Sequence, residues 1–126
     1  MKKELQNKLF VRYPELFKQK DLPMAQTCMC WGIETGDGWY GLIDHMCAEI
    51  MDCCKQYHYE IPEFIQVKEK FGGLRVYTAY TTPEIDKIIT EYEGISETVC
   101  EICGEKGVLP ESHGAWISTL CKECRK

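Results

Sequence analysis

Two pairs of cysteines near the carboxyl end constrain this chain more than any other feature of its sequence. Cys100 and Cys103 form one CxxC pair, Cys121 and Cys124 form the second, and 17 residues separate them. Each CxxC turn places two thiolates on one side of a tight loop, and two such turns complete a tetrahedron around one ion. The pattern predicts a structural zinc site with four cysteine ligands, because four thiolates leave no open position for a substrate. His113 is an alternative ligand that the tetrahedron does not need.

The cysteine count also bears on the compartment. The chain has nine cysteines in 126 residues, and an odd count fits poorly with a disulfide framework. The amino-terminal string MKKELQNK lacks the apolar stretch of a signal peptide, and no apolar run reaches the length of a membrane helix. We therefore expect a cytoplasmic protein with reduced cysteines and no membrane partner.

Five cysteines lie outside the two pairs, and of these Cys47 and Cys54 fall on the apolar stripe of the second predicted helix, where buried thiols behave as small hydrophobes. A second metal site and a catalytic thiol near His45 are the alternatives. The five cysteines are Cys28, Cys30, Cys47, Cys53 and Cys54.

The fold class follows from the spacing of apolar residues. Helical spacing over residues 2–12, 39–57 and 83–93 predicts three helices, the second capped by Asp37 and the third stopped by Gly94. The sequence therefore predicts an α+β fold in which helices pack on a small sheet.

The sheet is predicted from two β-rich runs, residues 64–70 and 74–80, on either side of a Gly-Gly pair. A glycine turn between two such runs is typical of a β-hairpin. Residues 28–33 are predicted to form a further short strand that enters a glycine-rich turn.

The chain divides where its composition changes. The last 29 residues contain four cysteines but few aliphatic side chains. So little apolar material does not form a stable core without a disulfide or a structural metal. We therefore predict an α+β domain over residues 1–97 and a zinc-ribbon module over residues 98–126 packed on it. Residues 110–119 would form a hairpin between the two CxxC turns, with Trp116 and Ile117 packed against the domain.

Charge disfavours one class of partner. The chain carries 15 basic and 20 acidic residues, for a net charge of −5, and a four-thiolate zinc centre adds about two negative charges. Proteins that neutralise a phosphate backbone usually have the opposite balance. Nucleic-acid binding through the ribbon is therefore an alternative and not the leading prediction.

Two polar clusters are candidate ligand sites. In the first, glycines 36 and 38 precede a predicted helix start, whose free amides favour anions and which two tryptophans could flank. The alternative is a turn with core tryptophans. The second cluster is cationic: its members either form ion pairs with nearby carboxylates or line an anion pocket. The candidate residues of both clusters are Trp31, Glu34, Asp37, Trp39, Lys68, Lys70 and Arg75.

Several short strings form a recognisable set: WGIE at 31–34, GDGW at 36–39, LID at 42–44, VKEKFGGLR at 67–75, CEICG at 100–104 and TLC at 119–121. They resemble a family of short zinc-binding proteins encoded by phages and prophages, over roughly residues 28–124. The resemblance implies a phage-type origin and the cytoplasm of an infected bacterium, and it supplies no catalytic residues. Some members of that family have histidine as the last metal ligand, where this chain has Cys124.

Together these features predict a binding module that engages or inhibits a host antiphage component, or that sequesters a small anionic ligand such as a nucleotide signal. Nucleic-acid binding is the first alternative. The second is a small enzyme in which Glu34, Asp37 or Asp44 is the acid or base, while Lys68 or Arg75 holds an anion.

Overall fold

The computed structural model describes residues 1–110 and 117–125. In this part of the chain three helices pack with a three-stranded sheet, which confirms the α+β prediction. The helices are α1 (Lys3–Arg12), α2 (Tyr40–Tyr57) and α3 (Pro83–Ser96), and the strands are β1 (Ile33–Glu34), β2 (Phe64–Lys70) and β3 (Gly73–Thr78). The strand order is β1-β2-β3, with β1 parallel and β3 antiparallel to β2.

The core is built from helices, strands and the segments between them. Among the largest fully buried side chains are Phe17, Trp39, Ile43, Phe64 and Leu74. The Phe17 and Phe64 rings meet edge to face with centroids 5.1 Å apart, a favourable geometry for aromatic pairs. None of the helices that the structure describes combines the length and the apolarity that a membrane-spanning segment needs.

The start of α2 differs from the prediction. A 3₁₀ turn, Asp37–Trp39, precedes the helix, and no side chain caps it. Asp37 is therefore not the N-cap. Its Oδ1 accepts a hydrogen bond from the backbone N–H of Lys2 at 2.8 Å, which ties the amino terminus to this turn.

Helix α3 begins as predicted but ends later. The Thr82 side chain accepts the N–H of Ile85 and caps the helix. The helix continues past Gly94 to Ser96, because Ser96 Oγ donates to the carbonyl of Glu93 and accepts the N–H of Leu74. A contact with β3 thus holds the last turn, which helical propensity alone would have ended at Gly94.

The segment before β1 is also different from the prediction. Met29–Trp31 forms a 3₁₀ turn, and only Ile33–Glu34 is a strand. Thr27 Oγ1 accepts the N–H of Met29 at 3.0 Å, and Gly32 then turns the chain with φ of 76°. The threonine side chain competes with the strand for a backbone donor, which favours the turn.

The hairpin forms where the sequence predicts it. Strands β2 and β3 are joined by Phe71 and Gly72, whose φ angles are 53° and 82°. Two positive φ angles in succession are typical of the tight turns that connect antiparallel strands. A bulge between Phe64 and Gln66 shifts the register, so that Phe64 and Val67 are both buried.

The outer edge of β3 is closed by α3. The N–H of Leu74 donates to Ser96 Oγ at 2.9 Å, and the N–H of Val76 donates to a carboxylate oxygen of Glu93 at 3.0 Å. Side chains of one helix therefore take the place of a further strand.

Candidate metal centre

The four carboxyl-terminal cysteines come together in the folded chain. All four Sγ atoms lie within 4.8 Å of one another, and those of Cys103 and Cys121 are 3.6 Å apart. In a tetrahedral zinc–thiolate centre the sulfurs lie about 3.8 Å apart. The donor set and its dimensions therefore fit one tetrahedral ion, which Cys100, Cys103, Cys121 and Cys124 would hold.

The two CxxC segments adopt similar turns. The N–H of Gly104 donates to the carbonyl of Cys100 at 2.9 Å, and the N–H of Arg125 donates to that of Cys121 at 3.1 Å. The N–H of Cys124 also points at Cys121 Sγ, at 3.4 Å. Gly104 has φ of 81°, which glycine adopts without strain. Each turn thus presents both of its sulfurs to the same point.

The backbone around Cys100 favours a thiolate. Cys100 is fully buried, and burial opposes ionisation of its thiol. The N–H groups of Cys103, Cys121 and Ile102 donate to the sulfur and outweigh burial, so that the pKa of Cys100 falls to about 6. The pKa of Cys124 rises to about 12, chiefly because of its hydrogen bond with Cys121. A bound cation would lower the raised pKa of Cys124 and hold all four sulfurs as thiolates.

The first CxxC turn packs directly on the glycines before α2. A Cβ on Gly38 would lie 2.2 Å from the carbonyl oxygen of Cys100, and one on Gly36 would lie 2.3 Å from that of Glu101. The N–H of Gly38 donates to the same Glu101 carbonyl at 2.8 Å. Both positions therefore exclude any side chain, because that space is occupied by the backbone of residues 98–110 and 117–125, which we call the metal segment.

The amides that the sequence offers to an anion are satisfied from within the chain. The N–H of Gly36 donates to the Glu101 carboxylate at 2.8 Å. Burial raises the pKa of Glu101, and the Gly36 N–H opposes that rise. The anion beside the start of α2 is thus Glu101 itself, and its carboxylate and carbonyl occupy the Gly36 and Gly38 amides that an external anion would need.

The hairpin turn forms a second contact with the metal segment. Thr119 Oγ1 donates to the carbonyl of Gly72 at 2.7 Å, and both groups are buried. A Cβ on Gly72 would lie 2.3 Å from Leu109 and 3.4 Å from Ile117. Residues on both sides of positions 111–116 therefore rest on this turn. The candidate ligand His113 and the predicted packing of Trp116 lie outside the described residues.

The two predicted site tryptophans have different environments. Trp39 is fully buried, and its Nε1 donates to the carbonyl of Val99 at 2.8 Å. It has no surface to offer a ligand, so the shared stacking platform is wrong for this residue. Trp31 is 63% exposed and lines a cavity beside α1.

The cationic cluster lies on β2 and β3, where Lys68 and Arg75 are partly exposed and Lys70 is exposed. Glu34 is the register partner of Lys68, and Lys68 is that of Arg75, so the three residues form one row across the strands. Within residues 1–110 and 117–125, no ion pair joins them. Lys70 lies nearby on β2, with its Nζ 5.6 Å from the centre of the Phe71 ring.

The other candidate carboxylates have partners elsewhere. Asp37 lies 3.7 Å from Lys2 Nζ, and Asp44 accepts hydrogen bonds from Arg12 at 3.0 Å and from the Tyr13 hydroxyl at 2.8 Å. The predicted ligand residues are therefore distributed over separate places, and Glu34 is the one candidate carboxylate beside a cation of the cluster.

Among the described residues, the four carboxyl-terminal cysteines are the one group with the side chains and spacing for an ion. Cys47, Cys53 and Cys54 are buried, and burial raises the pKa of the Cys47 thiol well above its usual value. A thiol of that kind is a poor nucleophile. Cys28 and Cys30 are partly exposed.

Sequence reasoning missed Glu101 and Thr119, which join the metal segment to the rest of the fold. The signal for both was the pair of glycine-rich strings, because a glycine that must stay bare marks a close approach of another backbone.

The chain matches no family model, no curated protein and no solved structure. The resemblance to phage proteins therefore depends on the sequence strings alone.

Proposed function

We propose that the protein is a zinc-stabilised binding module of phage type that engages an acidic surface of a host protein. The observation that carries the zinc assignment is the cluster of four sulfurs within 4.8 Å. Thiolate ligands in a tetrahedron favour zinc over harder ions such as magnesium. With four protein ligands the ion has no position for a substrate, so its role is to fix the metal segment.

Elemental analysis of reduced protein tests the metal. We expect about one zinc per chain, a Cys100→Ser variant that has lost it, and a matched Cys28→Ser variant that keeps it. The absence of stoichiometric metal, or disulfides among these four cysteines, would contradict the proposal.

The binding surface is the cationic row, which consists of Glu34, Lys68 and Arg75, together with the neighbouring Lys70. Lys68, Lys70 and Arg75 have no ion-pair partner among the described residues, although the chain as a whole is acidic. Unpaired cations attract an anionic partner and accelerate its association. A surface spread over three neighbouring strands suits a macromolecular partner better than a small ligand, which needs a concave site.

A protein partner fits this face better than a nucleic acid does. The row contains Glu34 as well as the cations, and the net charge of −5 repels a phosphate backbone. A host component is the partner that the phage resemblance favours. Inhibition of an antiphage defence protein is the specific form of this proposal.

Affinity capture from a bacterial lysate tests the surface with three forms of the protein. We expect captured proteins to be lost with Lys68→Glu/Arg75→Glu and at high salt, because both treatments remove the electrostatic attraction. A control variant, Lys55→Glu/Lys87→Glu, has the same change in net charge on exposed helical positions and should capture the same proteins. Equal capture by all three forms would contradict the proposal, and a salt-dependent gel shift with nucleic acid would favour the alternative.

A further inference from the structure

A cavity of about 400 Å³ lies between α1 and two 3₁₀ turns that precede β1, Lys18–Asp21 and Met29–Trp31. Helix α1 contributes Lys3, Gln6 and Asn7, and the turn Met29–Trp31 contributes Trp31. The volume is within the range of small-molecule sites in proteins. This cavity shares no residue with the metal centre or with the cationic row.

Trp31 supplies a flat apolar surface at this cavity. Its side chain is 63% exposed, which is unusual for so large an aromatic group in a folded domain. The 3₁₀ turn and the positive φ of Gly32 fix its backbone. An exposed indole on a rigid turn is suited to stack on a planar heterocycle.

The side-chain amides beside Trp31 can form hydrogen bonds with the polar edge of such a ring. Gln6 Oε1 accepts the N–H of Ile33 at 3.1 Å, which fixes the amide and directs its oxygen at the protein. In the described part of the chain, neither the Gln6 NH₂ group nor the Asn7 side chain has a hydrogen-bond partner. These donors and acceptors are available to a ligand.

The charge of the cavity favours an anion. Lys3 has no ion pair within the described ranges, whereas Lys20 is paired with Asp21 at 2.6 Å. The lining therefore carries one uncompensated positive charge. A ligand that combines a planar heterocycle with one small anionic group would satisfy the indole, the amides and the lysine at once.

We propose that this cavity binds a nucleoside monophosphate, with the base stacked on Trp31, its polar edge at Gln6 and Asn7, and the phosphate at Lys3. The site is independent of the proposed partner surface, because no residue belongs to both.

Isothermal titration calorimetry with adenosine 5′-monophosphate tests the site in the intact zinc-loaded protein. We expect one binding event per chain, with affinity at least tenfold weaker in Trp31→Ala and partly restored in Trp31→Phe. Lys3→Gln should weaken binding and reduce its salt dependence. The matched variant Lys8→Gln, an exposed lysine of the same helix that does not line the cavity, should bind as the unmodified protein does.

Two ligand comparisons complete the test. Adenosine should bind more weakly than the monophosphate because it lacks the group for Lys3, and inorganic phosphate should bind more weakly because it lacks the base. No heat at millimolar monophosphate, equal affinity in Trp31→Ala, or equal affinity for inorganic phosphate would each overturn the proposal. Trp31 is exposed, so its replacement leaves the core and the metal content unchanged, and zinc analysis of each variant checks this.

Discussion

Residues 1–97 and the described residues after position 97 are each stabilised by a different kind of interaction. Among the described residues, the buried apolar side chains all lie before residue 97 except that of Cys100. The segment after residue 97 is held by its sulfur cluster, by contacts with bare glycines and by hydrogen bonds to the hairpin turn. The comparison teaches that a short segment with few buried apolar side chains can be positioned by a cluster of metal-ligating sulfurs and a few close backbone approaches.

The largest expected effect comes from breaking the sulfur cluster. We expect Cys121→Ser to abolish hydrogen-exchange protection at residues 98–108 and 119–125, because structural zinc contributes on the order of 10–16 kcal/mol in small zinc peptides. Amides of α2 and α3 should keep their protection. If those helices lose it equally, the two parts are one cooperative unit.

The next effect concerns the apolar part. Phe64→Ala should lower the free energy of unfolding by about 3–5 kcal/mol, because it leaves a cavity against Phe17. Urea denaturation measures the change. The matched Val11→Ala variant removes a side chain that is 81% exposed and should shift stability by less than about 0.5 kcal/mol.

A pair of glycines tests the contact between the two parts. Gly38→Ala should lower the free energy of unfolding by about 1–3 kcal/mol, because the new methyl group meets the Cys100 carbonyl. Gly41→Ala, three residues further on in α2, meets nothing within 4 Å and should raise it by about 0.5–1 kcal/mol. Thermal unfolding of both variants is the measurement, and effects of the same sign would contradict the described approach.

The smallest expected effect is a loss of stability at alkaline pH that comes from Tyr13 in the apolar part. Burial and the hydrogen bond to Asp44 raise the pKa of Tyr13 to about 12. The folded state therefore favours the neutral phenol, and stability present below pH of about 10 is lost as pH rises towards 12. Urea denaturation at several alkaline pH values should show a shallower loss in Tyr13→Phe than in the unmodified protein.

The control for this measurement is Tyr57→Phe, since Tyr57 is 48% exposed. We expect its stability to fall with pH as steeply as that of the unmodified protein. Equal slopes in all three forms would mean that Tyr13 does not couple to folding in this range.

Much of this architecture could be predicted from local sequence. Apolar spacing predicted the helices and the hairpin, because each of these signals lies within a few residues of the structure it specifies. The two CxxC pairs predicted the sulfur cluster across 17 residues, because their spacing is itself typical of one zinc site. The contact that fills the candidate anion site before α2 could not be predicted, for the opposite reason. The group that occupies the Gly36 amide is Glu101, 65 positions away in the chain.

The same distance explains the other differences. The parallel pairing of β1 with β2, the hydrogen bond of Asp37 and the extension of α3 to Ser96 all depend on partners far away in sequence. Periodicity reports which face of an element is apolar, but it does not report which backbone group a distant side chain will reach.

The closed outer edge of β3 has a consequence for behaviour at high concentration. An uncovered strand is a template on which a second copy can extend the sheet and begin to aggregate. Here the side chains of Ser96 and Glu93 accept the outward N–H groups of Leu74 and Val76. The strand at the opposite edge, β1, is only two residues long. The sheet therefore resists growth from either side, and loss of the last turn of α3 would leave an edge on which fibres could begin.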